Sequence, residues 1–165
     1  MSFRDVWLGM LTWQPITLFF MGLATRVDKP LMKWSKGRIR LSFVIPVLLL
    51  HCTGARTGIE RTLPLLYVPD TDQFGGDVRA GADILLVASH GGQAHHPAWY
   101  FNLMAHRNIH CTLKGFTAAY EAKLLQGEQR AAAWQKAQRV YPGYDRYQAR
   151  CDQREIPVFR LTRVN

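Results

Sequence analysis

Two glycines at the end of an apolar run are where the chain first suggests chemistry. In Ser89-His90-Gly91-Gly92-Gln93-Ala94-His95-His96-Pro97-Ala98-Trp99-Tyr100 they follow Ile84-Leu85-Leu86-Val87-Ala88, which reads as a buried strand. They precede Trp99 to Ala105, whose apolar residues have helical spacing. Gly91 and Gly92 permit backbone conformations that aim successive N–H groups into one concavity, and His96-Pro97 sets the first helical turn. Such a junction can hold an anionic group with backbone donors and the helix dipole. An ordinary tight strand-to-helix connection would use the same two glycines.

Two further constellations carry chemical potential. Arg56 and Arg61 flank a turn at Gly58, and His90 is a candidate third member. Paired guanidinium groups present planar forks that suit phosphates and carboxylates, although arginines on a hairpin loop are equally served by water. Tyr141, Tyr144 and Tyr147 are spaced by three around Pro142-Gly143. A phenol can stack on a flat ligand and donate its O–H to an oxygen that gains charge, which suits a pocket for a planar, reducible substrate; packing against the protein's own sheet is the alternative. The histidines His90, His95, His96, His106 and His110 lack a helical i, i+4 pair and a nearby acidic partner, so no metal site is expected. There is no Gly-x-Gly-x-x-Gly or Walker pattern.

These residues need a scaffold, and the chain predicts one. Ile45 to Cys52 and Arg61 to Val68 read as a hairpin around Thr53 to Gly58, with a polar loop from Asp70 to Gly81 leading to the Ile84 strand. Asn108 to Leu113 and Ala118 to Leu125 read as a second hairpin around Lys114-Gly115. Gly127 to Val140 is a helix, Tyr144 to Arg150 a short helical turn, and Ile156 to Leu161 a closing strand. Five or six strands mostly in hairpins, with helices in the connections, make an antiparallel α+β barrel and not an alternating parallel sheet.

The 165 residues suffice for one domain with a real core. A formal charge of +9 and a pI near 9.9 favour anionic partners. The basic residues are scattered and lack a reading element, which sets nucleic acid aside. Cys52, Cys111 and Cys151 are odd in number and far apart, as in a reducing, cytoplasmic compartment. Residues Val6 to Thr25 carry no charge, yet Thr12, Gln14, Pro15 and Thr17 interrupt them. The expectation is a helical N-terminal arm over 1–44, ahead of a cofactor-binding domain over 45–165. With Lys29, Lys33, Lys36, Arg38 and Arg40 at its end, that arm either lies peripherally on the anionic inner face of a membrane or packs on its own domain or a partner subunit.

In the order and spacing of Thr53-Gly54-Ala55-Arg56-Thr57-Gly58-Ile59-Glu60-Arg61-Thr62-Leu63-Pro64-Leu65, Val87-Ala88-Ser89-His90-Gly91-Gly92, His96-Pro97-Ala98-Trp99-Tyr100-Phe101-Asn102-Leu103, Tyr141 to Gln148 and Arg154 to Val158, the chain resembles the deazaflavin (coenzyme F420)-dependent nitroreductase and quinone reductase family. The resemblance implies an α+β fold, an antiparallel split β-barrel related to FMN-binding oxidoreductases. It implies hydride transfer from reduced F420, less readily FMN, to nitro compounds, quinones or similar planar acceptors, by a monomer or homodimer. By position it implies a cofactor site of Arg56, Arg61, Pro64, Ser89, His90, Gly91, Gly92, Pro97, Ala98 and Trp99. Tyr141, Tyr144 and Tyr147 correspond to substrate-pocket tyrosines, and Tyr144 or Ser89 to the donor facing the reduced oxygen. Ala55 and His90 stand where many members have a basic residue and a lysine, which makes tail binding weaker or pH-dependent. The family also includes members proposed to bind lipids, so a non-redox lipid or fatty-acid carrier is the alternative.

Overall fold

The computed structural model describes residues 46–71, 83–151 and 153–164. The expected N-terminal arm and most of the Asp70 to Gly81 loop lie outside the described residues. Seven strands, β1 (Val47–Thr53), β2 (Glu60–Leu66), β3 (Val68–Pro69), β4 (Ile84–Val87), β5 (Asn108–Leu113), β6 (Phe116–Leu124) and β7 (Val158–Arg163), form one curled sheet in the order β2-β1-β5-β6-β7-β4-β3. Every neighbouring pair is antiparallel, as a split barrel requires. Three helices complete it: α1 (Ala98–Ala105), α2 (Gly127–Val140) and α3 (Gly143–Arg150).

The sheet has seven strands where five or six were expected, because the stretch taken as one strand to Val68 is two. β2 ends at Leu66, and the Tyr67 N–H turns aside to donate to the Pro46 carbonyl at 3.0 Å. Val68 and Pro69 then pair with β4 on the sheet's far edge, where a proline's missing N–H costs no ladder bond.

Alternation along the strands divides the apolar residues between two layers. Ile84 and Leu86 of β4 enter the layer that the sheet curls around, with Leu48, Leu50, Trp99, Leu103 and Phe159. Leu85 and Val87 point the other way, into a layer closed by α2 and α3 with Trp134, Ala137, Tyr144 and Ile156. A strand covered on both faces must be apolar at every position, and this is why Ile84 to Val87 has no polar residue. Each fully buried leucine here contributes about 1.5–3 kcal/mol relative to exposure. α1 caps the first layer through Trp99 and Leu103, and in doing so it carries the Ser89 to Pro97 connection to the mouth of the curled sheet.

Candidate functional site

The glycine pair forms a single 3-10 turn, His90–Gly92, of an unusual kind. His90, Gly91 and Gly92 all have positive φ, at 48°, 65° and 80°. The left-handed region costs a residue with a Cβ about 1–2 kcal/mol, so His90 stays there only because its surroundings hold it. Its ring Nδ1–H donates to the His95 carbonyl at 3.3 Å, and the two imidazoles meet edge to face with centroids 4.8 Å apart. The Gly92 N–H closes on the Ser89 carbonyl at 2.9 Å. Ser89 is half-buried at the start of this turn. Burial, helped by the nearby His95 and Arg154 charges, outweighs the hydrogen bond to the His95 carbonyl and holds the His90 imidazole below its ordinary pKa. His90 is therefore a poor substitute for a permanently charged lysine near neutrality.

Arg154 braces the turn from the segment before β7, and sequence reasoning gave it no role. Its Nη2 donates to the carbonyls of Gln93 at 3.0 Å and of Ser89 and His95 at 3.3 Å. Its Nη1 reaches the Ala88 carbonyl at 3.4 Å and His96 Nδ1 at 3.3 Å. Desolvation and then the Arg154 charge lower the His96 pKa, which keeps that nitrogen an acceptor. The His96 ring lies parallel to Tyr100, with centroids 4.2 Å apart and planes 14° from one another. Pro97 is buried, Ala98 is exposed, and Trp99 turns into the core, 6.0 Å from Phe159.

On the other side of α1 stands the hairpin turn with the two predicted arginines. The Ala55 N–H donates to Asn102 Oδ1 at 2.9 Å, and Asn102 Nδ2 reaches Cys52 Sγ at 3.5 Å. Asn102, which sequence reasoning also missed, thus fixes the turn to the helix that carries the glycine connection. Gly58, at φ 64°, lets the Gly54 carbonyl accept its N–H at 2.8 Å. Arg56 and Arg61 are exposed. Arg61 pairs with Cys52 in the ladder. Burial raises the Cys52 thiol pKa, while the Asn102 bond and then the Arg61 charge oppose the rise. Pro64 lies three residues on and so projects from the opposite face to Arg61, beside Leu49.

A cavity of about 540 Å³ opens next to Arg61, between β1, β2 and β5. Its floor is a hydrogen-bonded row in which His51 bridges Thr62 Oγ1 at 3.0 Å and Thr112 Oγ1 at 2.8 Å. Thr112 meets Thr117 Oγ1 at 2.7 Å. Among the described residues no group of three His, Cys, Asp or Glu side chains is placed to hold a metal ion. None of the described helices is long and apolar enough to cross a membrane.

The tyrosines do come together, in the layer under α2 and α3. Tyr141, Tyr144 and Tyr147 are only 5%, 3% and 6% exposed, and the Tyr141 and Tyr147 hydroxyls share a hydrogen bond at 3.0 Å. Desolvation, followed by its two neighbours, pushes the Tyr144 phenol far above its ordinary pKa. Helix α3 abuts the glycine turn from behind. A Cβ on Gly92 would stand 2.8 Å from the Tyr147 carbonyl oxygen and 3.2 Å from Arg150 Cβ. The described residues thus place the tyrosine hydroxyls within packed apolar side chains, and the tyrosine helix supports the turn.

The antiparallel curled sheet is of the split-barrel type found in solved F420-dependent reductases. The chain belongs to the F420H(2)-dependent quinone reductase family, whose model matches residues 25–163. It is 34% identical over 143 residues to the F420H(2)-dependent quinone reductase Rv1261c of Mycobacterium tuberculosis, covering 84% of this chain and 89% of that one. A second protein of that organism, the putative F420H(2)-dependent quinone reductase Rv3178, is 29% identical over 117 residues, covering 71% and 89%. Among solved structures, an F420-H2 dependent reductase (FDR-A) superposes with a TM-score of 0.58 at 34% identity, over 70% of this chain and 93% of that one. Another, described as a domain-swapped dimer, superposes with a TM-score of 0.61 at 31% identity, over 82% and 93%. Membership makes the protein an oxidoreductase of an F420-dependent family, as the motif resemblance implied.

Proposed function

We propose that the protein binds F420 along the rim running from Arg56 and Arg61, past α1, to the His90–Gly92 turn, and that it reduces quinones, nitro compounds or similar flat acceptors there. The observation that carries this reading is the turn itself, a run of three left-handed residues braced by a guanidinium and fixed through α1 to a basic hairpin. Its donor set suits an anionic cofactor: exposed guanidinium forks for a phosphate and carboxylate tail, and backbone N–H groups with no carboxylate among the described contacts of the turn.

Bound F420 in its reduced form supplies the hydride, and the protein supplies orientation and electrostatics. Arg56 and Arg61 hold the tail. Ala98, small and exposed in the first turn of α1, leaves a flat ring room to lie against the helix, while Trp99 and Tyr100 close the apolar side and exclude water. Of the two candidate donors, Ser89 stands half-buried at the start of the turn, whereas the Tyr144 phenol is enclosed by the α2 and α3 layer. Ser89 therefore takes the role of hydrogen-bond donor to the acceptor oxygen that gains charge, a contribution of a few kcal/mol (~3) in a dry pocket.

Fluorescence titration with F420 tests this directly. Saturable binding in the micromolar range is expected, with weaker binding of FMN titrated alongside. Folded protein that shows no saturable F420 binding, and that purifies with acyl chains visible by native mass spectrometry, would replace the reading with the lipid carrier. Arg56→Ala and Arg61→Ala should each weaken affinity by about 1–3 kcal/mol, with turnover at saturating cofactor little changed.

A further inference from the structure

Arg154 sits behind the turn with a positive charge that no described neighbour cancels. Its sequence neighbour Glu155 faces the other way and pairs with Arg130 at 2.8 Å. The acceptors around the Arg154 guanidinium are instead the carbonyls of Ala88, Ser89, Gln93 and His95, together with His96 Nδ1. Its Nε adds a second contact to the Gln93 carbonyl at 3.3 Å. A guanidinium has five N–H groups in a fixed fork, so one side chain can gather this many acceptors only if the backbone wraps it.

That wrapping determines which way the backbone donors point. Across a trans peptide the C=O and the following N–H are antiparallel. Turning the carbonyls of Ala88 and Ser89 inward to Arg154 therefore turns the N–H groups of Ser89 and His90 outward. The same relation turns the N–H groups of Ala94 and His96 outward when the Gln93 and His95 carbonyls face in. Four peptide units are thus sorted by one cation, acceptors inside and donors outside, with the cation itself behind the donors. Oriented amides of this kind form an anion-binding concavity, and a charge at its base deepens the potential.

We infer that Arg154 is a positioning residue for the cofactor: it holds the Ser89 to His96 backbone donor-out, with His90–Gly92 in the left-handed form, and leaves its own charge behind the bound anion. The inference rests on the reading that this turn takes F420. Touching neither cofactor nor acceptor, Arg154 acts through the amides of Ser89 and His90 and through the φ of 48° that His90 would not keep unaided.

Two variants separate the fork from the charge. Arg154→Lys keeps the charge and loses the fork, and Arg154→Gln loses both. Amide hydrogen exchange over 88–96, measured on cofactor-free protein, should accelerate at least tenfold in both variants while β1 and β5 exchange as in the parent. F420 affinity should fall at least tenfold in Arg154→Gln and less in Arg154→Lys. If Arg154→Gln fails to fold, Arg154→Lys carries the same two readouts. Unchanged exchange over 88–96 would overturn the inference whatever the affinity does, and so would parent-like F420 affinity in a variant whose turn has loosened. A parent protein that binds no F420 would instead overturn the proposed function, and faster exchange in the variants would still establish that Arg154 holds the turn.

Discussion

Replacing Gly92 by alanine perturbs the site by one carbon atom, and the structure sets the size of the effect. Two costs add. The left-handed φ of 80° penalises any Cβ by about 1–2 kcal/mol. The new Cβ would also lie 2.8 Å from the Tyr147 carbonyl oxygen, 3.0 Å from Tyr147 Cα and 3.2 Å from Arg150 Cβ. The first two are backbone atoms of α3, so the helix must shift, and overpacking of this sort costs about 1–3 kcal/mol. The matching control is Gly127→Ala, where φ is 52° and a Cβ would meet nothing within 4 Å. Both substitutions reduce the unfolded chain's entropy alike, so that contribution cancels in the comparison. At about 2–4 °C per kcal/mol for a chain of this size, Gly92→Ala should lower Tm by roughly 10 °C and Gly127→Ala by about 4 °C. Paired thermal scans followed by F420 titration give the assay, with affinity lost in Gly92→Ala and kept in Gly127→Ala. Equal losses of Tm in the two variants would refute the contact between α3 and the turn, and with it the view that the tyrosine helix supports the cofactor site.

Three further expectations follow from the same contacts. Tyr144→Phe keeps the ring against Trp134 and removes a hydroxyl enclosed in the apolar layer, so quinone turnover should stay within about threefold of the parent; a larger fall in kcat would return the donor role to Tyr144. Arg130 donates to the Ile156 carbonyl at 2.9 Å and lies over the Trp134 ring at 4.6 Å, so Arg130→Met should cost about 1–3 kcal/mol in urea unfolding, and no loss would mean that water satisfies that carbonyl. His90 and His96 have pKa values lowered from 6.5 in the folded chain, so the unfolded chain binds more protons and their contribution is complete above pH 6.5 and lost as pH falls below it. Tm should drop with acidification in that window, and His96→Phe, which keeps a ring on Tyr100, should flatten part of the drop; an unchanged slope would show that burial and the Arg154 charge do not depress the His96 pKa.

The sequence showed the scaffold more fully than the site. Gly127–Val140 is helical over the span expected, because alanine, glutamine and arginine favour helix along its length and Pro142-Gly143 ends it. The two hairpins were legible from apolar strands bracketing glycine turns, although β6 begins at Phe116, where the chain leaves the tight Lys114-Gly115 turn. The glycine pair marked the turn, but nothing in composition indicated that His90 would share its left-handed backbone. That conformation depends on Arg154, 59 to 66 residues away from the carbonyls it gathers, and an arginine in a polar connection carries no sign of what it will touch. Along the tyrosine stretch, Tyr144 and Tyr147 lie on α3, Tyr141 lies in the break between α2 and α3, and the three rings meet one another. Which side of that stretch would be covered was decided by α2, whose Ala133, Trp134 and Ala137 face it, and periodicity alone cannot distinguish a pocket wall from a packed layer.

The strand order has a consequence for how the protein is made. β7 lies between β6 and β4, in register with both, so the middle of the sheet is missing until the chain has been synthesised through Arg163. Before then, on the ribosome, the hairpin of β5 and β6 can form, but β6 and β4 each present an open edge able to recruit a foreign strand. Arg154 leaves the exit tunnel just ahead of β7, so the brace on the His90–Gly92 turn and the strand that closes the sheet arrive together. A chain that stops before Arg154 should therefore be both unable to bind F420 and prone to aggregate, and a chain that runs through Arg163 should have neither defect.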